Sequence, residues 1–288
     1  MSKLANPIDK QCVYERLVNA KQFRQIGITQ KFERLGWERV LDWVEDVTPK
    51  VYLKEVTEWL AILRLEHADE EPSRWRLKGE TSKGTMVMSF QTMNRVTNFD
   101  SLSEGSYSTY ETRHFWEGHV VQTDPLDLVN ATLPNYTGGE QYNRAHLSVE
   151  GKILQNIFLE NVMVRLGDRG KLRVWDLRVL HMLMYGEPTL SWRHIVMIHI
   201  WDTRNQYKRK MITHVRLINA MIAQQNQLPE NSLWVVKAID GIDFAKMRKG
   251  SKIYVEIAGQ RYQARIGIRD LVTCIQKKKR VEMKRWGR

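Results

Sequence analysis

The chain has 288 residues, 42% hydrophobic and 27% charged, which places it in the globular range and excludes a disordered polyelectrolyte. Its formal net charge is +12 and is unevenly spread, with a net −4 over residues 1–150 and +16 over residues 151–288. That asymmetry suits an acidic partner; a basic protein with no polyanion partner, or head-to-tail attraction between copies, are the other readings.

In chain order, residues 31–46 read as a helix, with Phe32, Leu35, Val40 and Trp43 on one side. Thr48-Pro49 has the form of an N-cap followed by Pro at the first helical position. The helix expected after it places Leu53, Val56, Leu60 and Leu63 at three- and four-residue steps, with Trp59 beside them. The acidic stretch Glu66–Glu71 reads as a solvated loop. Arg74–Lys78 and Thr85–Ser89 form a hairpin pattern around Gly79–Gly84. Ser89 is placed to cap a short helix through Val96.

Residues 100–150 are rich in Ser, Thr, Asn, Gly and Tyr and read as a long connection with little regular structure. Helical patterns then return. Leu154, Ile157, Phe158 and Val162 share a face. Val174–Tyr185 stops at Gly186 with Pro188 beyond. Ser191–Thr203 follows, and Met211, Val215, Ile218 and Ile222 mark a helix ending before Pro229. Four helices with short links predict an antiparallel bundle. From Leu233 the runs LWVVKAI and KIYVEIA are strand-like, with a hairpin expected at Ala258-Gly259-Gln260.

The expected fold is therefore mainly α, a helical bundle with small antiparallel β-hairpin elements. The regions are 1–99, a helical part with a hairpin; 100–150, a variable linker; 151–232, the bundle; 233–276, a small β-containing part; and 277–288, a basic tail.

The tail carries most of the chemistry that can be named. Lys277, Lys278, Lys279, Arg280, Lys284, Arg285 and Arg288 face a single acidic neighbour, Glu282, giving +6 in twelve residues. These cations neutralise phosphates and Trp286 offers a stacking surface, which suits RNA or DNA bound by non-specific electrostatics. Lys277–Arg280 also matches a short basic import pattern, so a cytoplasmic or nuclear location is expected; a tail that is merely solvated is the plain alternative. Arg204, Lys208, Arg209, Lys210 and Arg216 form a second basic stretch. Lys208–Lys210 lie near the start of the expected helix from Met211, where cations oppose the helix dipole unless an anion is present.

Other patterns carry less. The segment from Gly79 to Thr85 has its Lys before the second Gly, the wrong order for a phosphate-binding loop. His194 and His199 are five apart, as are His114 and His119, so neither is a helical metal pair. His181 reads as a partly buried, hydrogen-bonded residue. Trp37, Trp43, Trp59, Trp175, Trp192 and Trp201 lie in helical patterns and are expected in the core. Cys12 and Cys274 make no C-x-x-C pair, so no metal, cofactor or redox centre is expected. The opening residues lack the apolar core of a signal peptide, and no apolar run approaches the ~20 residues of a membrane span, so no membrane association is expected. The sequons at Asn130 and Asn135 are not expected to be modified.

Several pieces together carry a family resemblance. Leu35-Gly36-Trp37 precedes a short helix; Pro49 and Tyr52 lead into Glu58-Trp59-Leu60; Leu77 and Gly79 open the hairpin; Met88-Ser89 to Val96 and Phe99 follow it; Leu180–Tyr185 forms an apolar helix. Over roughly residues 26–230 the chain resembles the first-open-reading-frame, gag-like proteins of Athila-type plant LTR retrotransposons. The resemblance implies a non-enzymatic protein that self-associates and packages nucleic acid, with no catalytic residues to carry over. The chain departs from a complete gag in lacking a Cys-Cys-His-Cys zinc knuckle, so its basic C-terminal segments would have to hold RNA. The helix-helix-hairpin pattern also resembles the plant mobile domain, which implies instead a domesticated nuclear or chromatin interaction protein.

Overall fold

The described residues combine nine α-helices with short β-ladders, a helix-rich α+β arrangement. The computed structural model describes residues 12–66, 74–99, 125–138, 141–164, 170–186, 191–205, 212–242, 254–257 and 260–263. The helices are α1 (Ala20–Arg24), α2 (Ile28–Arg34), α3 (Leu53–Ala61), α4 (Phe90–Thr97), α5 (Pro125–Thr132), α6 (Val149–Asn161), α7 (Val174–Tyr185), α8 (Trp192–Asn205) and α9 (Val215–Gln224). The strands are β1 (Leu17–Val18), β2 (Lys50–Val51), β3 (Arg64–Glu66), β4 (Arg76–Thr81), β5 (Gly84–Met88), β6 (Val235–Val236), β7 (Gly241–Ile242), β8 (Tyr254–Ile257) and β9 (Gln260–Gln263).

Strands β3, β4 and β5 form an antiparallel sheet in that order. Leu77 and Gly79 of β4, and Met86 and Met88 of β5, turn inward. The expected hairpin is present, but its strands run on so far that only Ser82 and Lys83 separate them. A third strand, β3, joins it; three residues are too few to show period-two alternation in sequence. Two further ladders are made across the chain. β1 runs parallel to β7, and β2 antiparallel to β6, so the first and last described parts of the main body are stitched together. The expected hairpin across Ala258-Gly259 is formed by β8 and β9.

Several helices match their sequence signals. Ser89 caps α4, with Thr92 completing the reciprocal box. Ser148 caps α6 by accepting from the Gly151 N–H. α7 ends at Gly186, whose φ of 96° is the left-handed conformation that releases a chain from a helix.

Others differ for identifiable reasons. The expected helix over 31–46 breaks at Gly36 (φ 67°). There the Trp37 N–H reaches back to Phe32 O and the Gly36 N–H to Glu33 O, the paired bonds that close a helix C-terminus. Two single-turn 3₁₀ helices follow, Glu38–Leu41 and Trp43–Asp46, and Phe32, Leu35, Val40 and Trp43 are buried nonetheless. Thr48-Pro49 does not start a helix. The Pro49 carbonyl accepts from the Lys237 N–H at 2.9 Å, Lys50 and Val51 pair with β6, and α3 begins only at Leu53. A distant strand thus outcompetes a local capping signal. α5, within the segment read as irregular, opens on Pro125 in the position where a helix needs no N–H. The last helix starts at Val215 rather than near Met211, because His214 sits at φ 54°.

The helices of 151–232 do not close on one another alone. α6 packs on α7, but α8 lies against α4, and α9 lies against α3, α4 and β5. One contiguous cluster of buried apolar side chains runs from Val18 to Ile242, so the regions on either side of 100–150 share a core. Trp37, Trp43, Trp59 and Trp192 are buried in it, as expected, and Trp201 packs against it half-buried. The side chain of Trp175 lies outside the described residues, as do Asp69–Glu71, His114, His119 and Cys274.

Trp59 fixes one backbone position tightly. Its indole N–H donates to Met86 O at 3.0 Å, and its ring lies directly on β4 at Gly79. A Cβ at position 79 would stand 2.6 Å from Trp59 Cδ1 and 2.7 Å from Trp59 O. Gly79→Ala should therefore lower the unfolding free energy by about 3 kcal/mol, since overpacking against backbone cannot relax cheaply. Gly27→Ala meets no atom within 4 Å but forces an L residue to φ +79°, and should cost about 1 kcal/mol. Urea denaturation of the two variants checks the order.

Candidate functional site

Of the basic residues singled out from the sequence, Lys208, Arg209 and Lys210 lie outside the described residues, as do Lys277, Lys278, Lys279, Arg280, Lys284, Arg285, Trp286 and Arg288. Arg204 and Arg216 are described, and they engage different parts of the fold. Arg204 is exposed at the last turn of α8, and its guanidinium donates to Leu60 O (3.4 Å) and Ala61 O (3.2 Å). These are the last carbonyls of α3, the negative end of that helix, so the cation is well placed electrostatically.

Arg216 is only 2% exposed, which removes it from any surface set. Its Nε donates to Glu15 O at 3.2 Å, and its terminal nitrogen donates to Lys237 O (3.2 Å) and Ala238 O (2.9 Å). Burial pushes its pKa down, and the Glu15 charge works against that shift. Arg216 is a cation at the start of a helix, and the compensating anion comes from this chain. Glu15, 1% exposed, accepts the backbone N–H groups of Arg216 (3.0 Å) and Leu217 (3.2 Å). A carboxylate some 200 residues away thus caps α9, whose own N-cap residue, His214, is left-handed and makes no side-chain cap.

The same carboxylate begins a buried polar chain. Glu15 Oε1 lies 3.6 Å from His214 Nδ1, and His214 Nε2 faces His199 Nδ1 at 3.0 Å. Both contacts are satisfied when His214 carries its proton on Nδ1 and His199 donates from Nδ1. Sequence spacing sets His199 beside His194; the structure pairs it instead with His214. No sequence pattern announces that partnership, because it depends on how α8 and α9 meet. Among the described residues no group of three or more His, Cys, Asp or Glu is arranged to hold a metal ion.

His194 is wholly buried, edge-on to Trp75 with ring centroids 4.5 Å apart. Among the described residues neither ring nitrogen has a hydrogen-bond partner. Burial lowers its pKa to about 3. Beside it Arg193 lies over the Phe90 ring and donates to Asn94 Oδ1 at 2.9 Å. On α8 burial raises the Asp202 carboxyl to about 6. His181, read as partly buried, is half-buried and packs on Tyr185.

Among the described residues the largest exposed apolar grouping lies elsewhere. Leu233 is 86% exposed, Trp234 47% and Val236 62%, consecutive or alternate on β6 and its approach. The Lys50 ammonium of β2 stands 4.5 Å from the centre of the Trp234 ring. In the sequence this run reads as an apolar strand, and nothing in it marks which face is left to solvent.

In comparisons with family models, curated proteins and solved structures, nothing matches this chain.

The two arginines should separate cleanly. Arg216→Gln leaves Glu15 buried without its cation and should cost about 3–5 kcal/mol of stability, whereas Arg204→Gln should cost about 1 kcal/mol. Chemical denaturation of both variants measures this, and similar losses would contradict the assignment of Arg216 to the interior.

His194 sets a pH dependence. Its folded-state pKa is depressed to about 3 from 6.5, so the unfolded chain takes up a proton that the folded chain refuses. Stability is therefore full above pH 6.5 and falls on acidification through that window, by about 1.4 kcal/mol per unit. His194→Leu should remove this part of the slope, so the difference in unfolding free energy between variant and wild type should grow in the variant's favour from pH 7 to pH 4.

Proposed function

We propose that the chain is a non-enzymatic, gag-like protein of a plant LTR retrotransposon that associates with nucleic acid and with its own copies. What supports the reading is charge together with the resemblance over residues 26–230. The net charge of +16 over residues 151–288 is more than a packed domain needs for solubility, and it culminates in the +6 tail. Arg216 is taken up by the fold, so the nucleic-acid contact falls to Arg204 with Lys208, Arg209 and Lys210, and to Lys277–Arg288. Self-association through the helices of residues 151–232 belongs to the same proposal. So does import through Lys277–Arg280, with residence in the cytoplasm, the nucleus or both. No helix among the described residues is long and apolar enough to cross a membrane.

Counter-ion release makes the test quantitative. The full chain should bind single-stranded RNA without sequence preference, with a logarithmic affinity that falls linearly with the logarithm of salt concentration. Deleting residues 277–288 should flatten that slope by several units, about 0.7 for each phosphate that is no longer neutralised. Sedimentation at increasing concentration should show oligomers. An absence of RNA binding at low salt would sink the reading.

A further inference from the structure

The β2–β6 ladder has two unlike faces. Lys50 pairs with Val236 and Val51 with Val235. Val51 is 1% exposed and packs with Cys12, Leu53 and Val215, so that face belongs to the interior. Alternation along a strand puts Trp234 and Val236 together on the opposite face, with Lys50 between them, and this face is open. It combines a large aromatic ring, an ammonium held against that ring and apolar flanks. Lys54, in the first turn of α3 just beyond β2, has a side chain 74% exposed and meets Glu58 only at 3.7 Å. A loosely held exposed pair of this kind releases its lysine at little cost. The other large indoles described at full burial are wedged in the core; Trp234 spends its area on solvent.

We propose that this face is a stacking platform for single-stranded nucleic acid: a base lies on the exposed part of the Trp234 ring while Lys50 and Lys54 take the flanking phosphates. This rests on the nucleic-acid reading above and gives it a position on the described fold, away from the tail. The occupant is chosen by charge. The chain is +12, the Lys50 ammonium stands against the ring at the centre of the face, and a base is the partner that uses a π-surface and an ammonium together. Stacking also tolerates any base, in keeping with binding that reads no sequence.

The test measures binding of fluorescein-labelled oligouridylate to the full chain, to Trp234→Ala, Trp234→Phe and Lys50→Ala, and to the chain lacking residues 277–288. Circular dichroism checks that each variant is folded, which the exposure of Trp234 and Lys50 favours. Trp234→Ala should weaken binding at least about fivefold with its salt slope unchanged, since stacking releases no counter-ions. Trp234→Phe should recover part of that loss. Lys50→Ala should reduce the slope by about 0.7, the loss of one phosphate contact. Deletion of the tail should lower the slope while leaving the effect of Trp234→Ala in place. If wild type binds and Trp234→Ala binds equally well, the platform is wrong and the broader reading stands. If wild type fails to bind at low salt, both fall. If Trp234→Ala instead abolishes self-association without changing affinity for the oligonucleotide, the face is a contact between copies and the platform is overturned.

Discussion

The structure depends on helix ends being satisfied by residues far away in sequence. The N-terminus of α9 is capped by Glu15 rather than by its own preceding residue. At the C-terminus of α7, Lys31 Nζ donates to Met184 O at 3.1 Å and an Arg34 guanidinium nitrogen to Leu183 O at 3.3 Å. At the C-terminus of α3, Arg204 does the same. Each contact brings a charge to the end of a helix dipole that favours it and pairs backbone groups that the helix leaves open. Each also ties together segments that no short loop connects. Among the described residues the strands are short, and these contacts do the cross-linking that a large sheet would otherwise provide.

α9 shows how far one helix can carry this. Its side chains hold other segments through their backbones. Arg216 bonds the carbonyls of Lys237 and Ala238. Asn219 accepts the Tyr52 N–H and donates to Lys50 O, so it holds β2. Just beyond the helix, Gln225 accepts the Val87 N–H and donates to Val87 O. That pair imitates a neighbouring strand along the outer edge of β5, which would otherwise be open to a second chain. The apolar face of the same helix is buried, so both faces are committed. The burial of Arg216 follows: a residue that organises three peptide groups and a carboxylate is unavailable to a phosphate.

This explains which elements are legible in the sequence. α4, α6 and α7 can be read there because their signals are local: Ser89 as a cap, Gly186 as a stop, and apolar residues at helical spacing between them. The departures share a different cause. Thr48-Pro49 has the form of a helix start, but the Pro49 carbonyl and Lys50 are claimed by β6. Met211 has the right spacing for α9, but the helix starts where Glu15 can reach it. Arg216 has the composition of a surface cation, and only the approach of residues 12–18 turns it inward. His199 and His214 lack any recognisable spacing because their pairing is set by the approach of two helices. The signals for these contacts exist at both partners, but each is a lone Glu, Asn, Gln or His until the chain has folded.

The same logic sorts the basic residues. Arg34, Arg39, Arg144, Arg193 and Arg204 donate to backbone carbonyls or side-chain amides, and Arg216 does so from full burial. Guanidinium suits this work, since its planar fork serves several acceptors and it is less strongly hydrated than ammonium. Lys21, Lys50, Lys54, Lys83 and Lys171 are exposed, as are Arg24, Arg64, Arg76 and Arg95. Net charge counts all cations alike, but a cation that donates to carbonyls from burial, as Arg216 does, holds the fold, while exposed cations retain their counter-ions and can exchange them for phosphates. A polyanion meeting the described surface therefore meets exposed cations of both kinds, and one of them, Lys50, already stands against the open ring of Trp234.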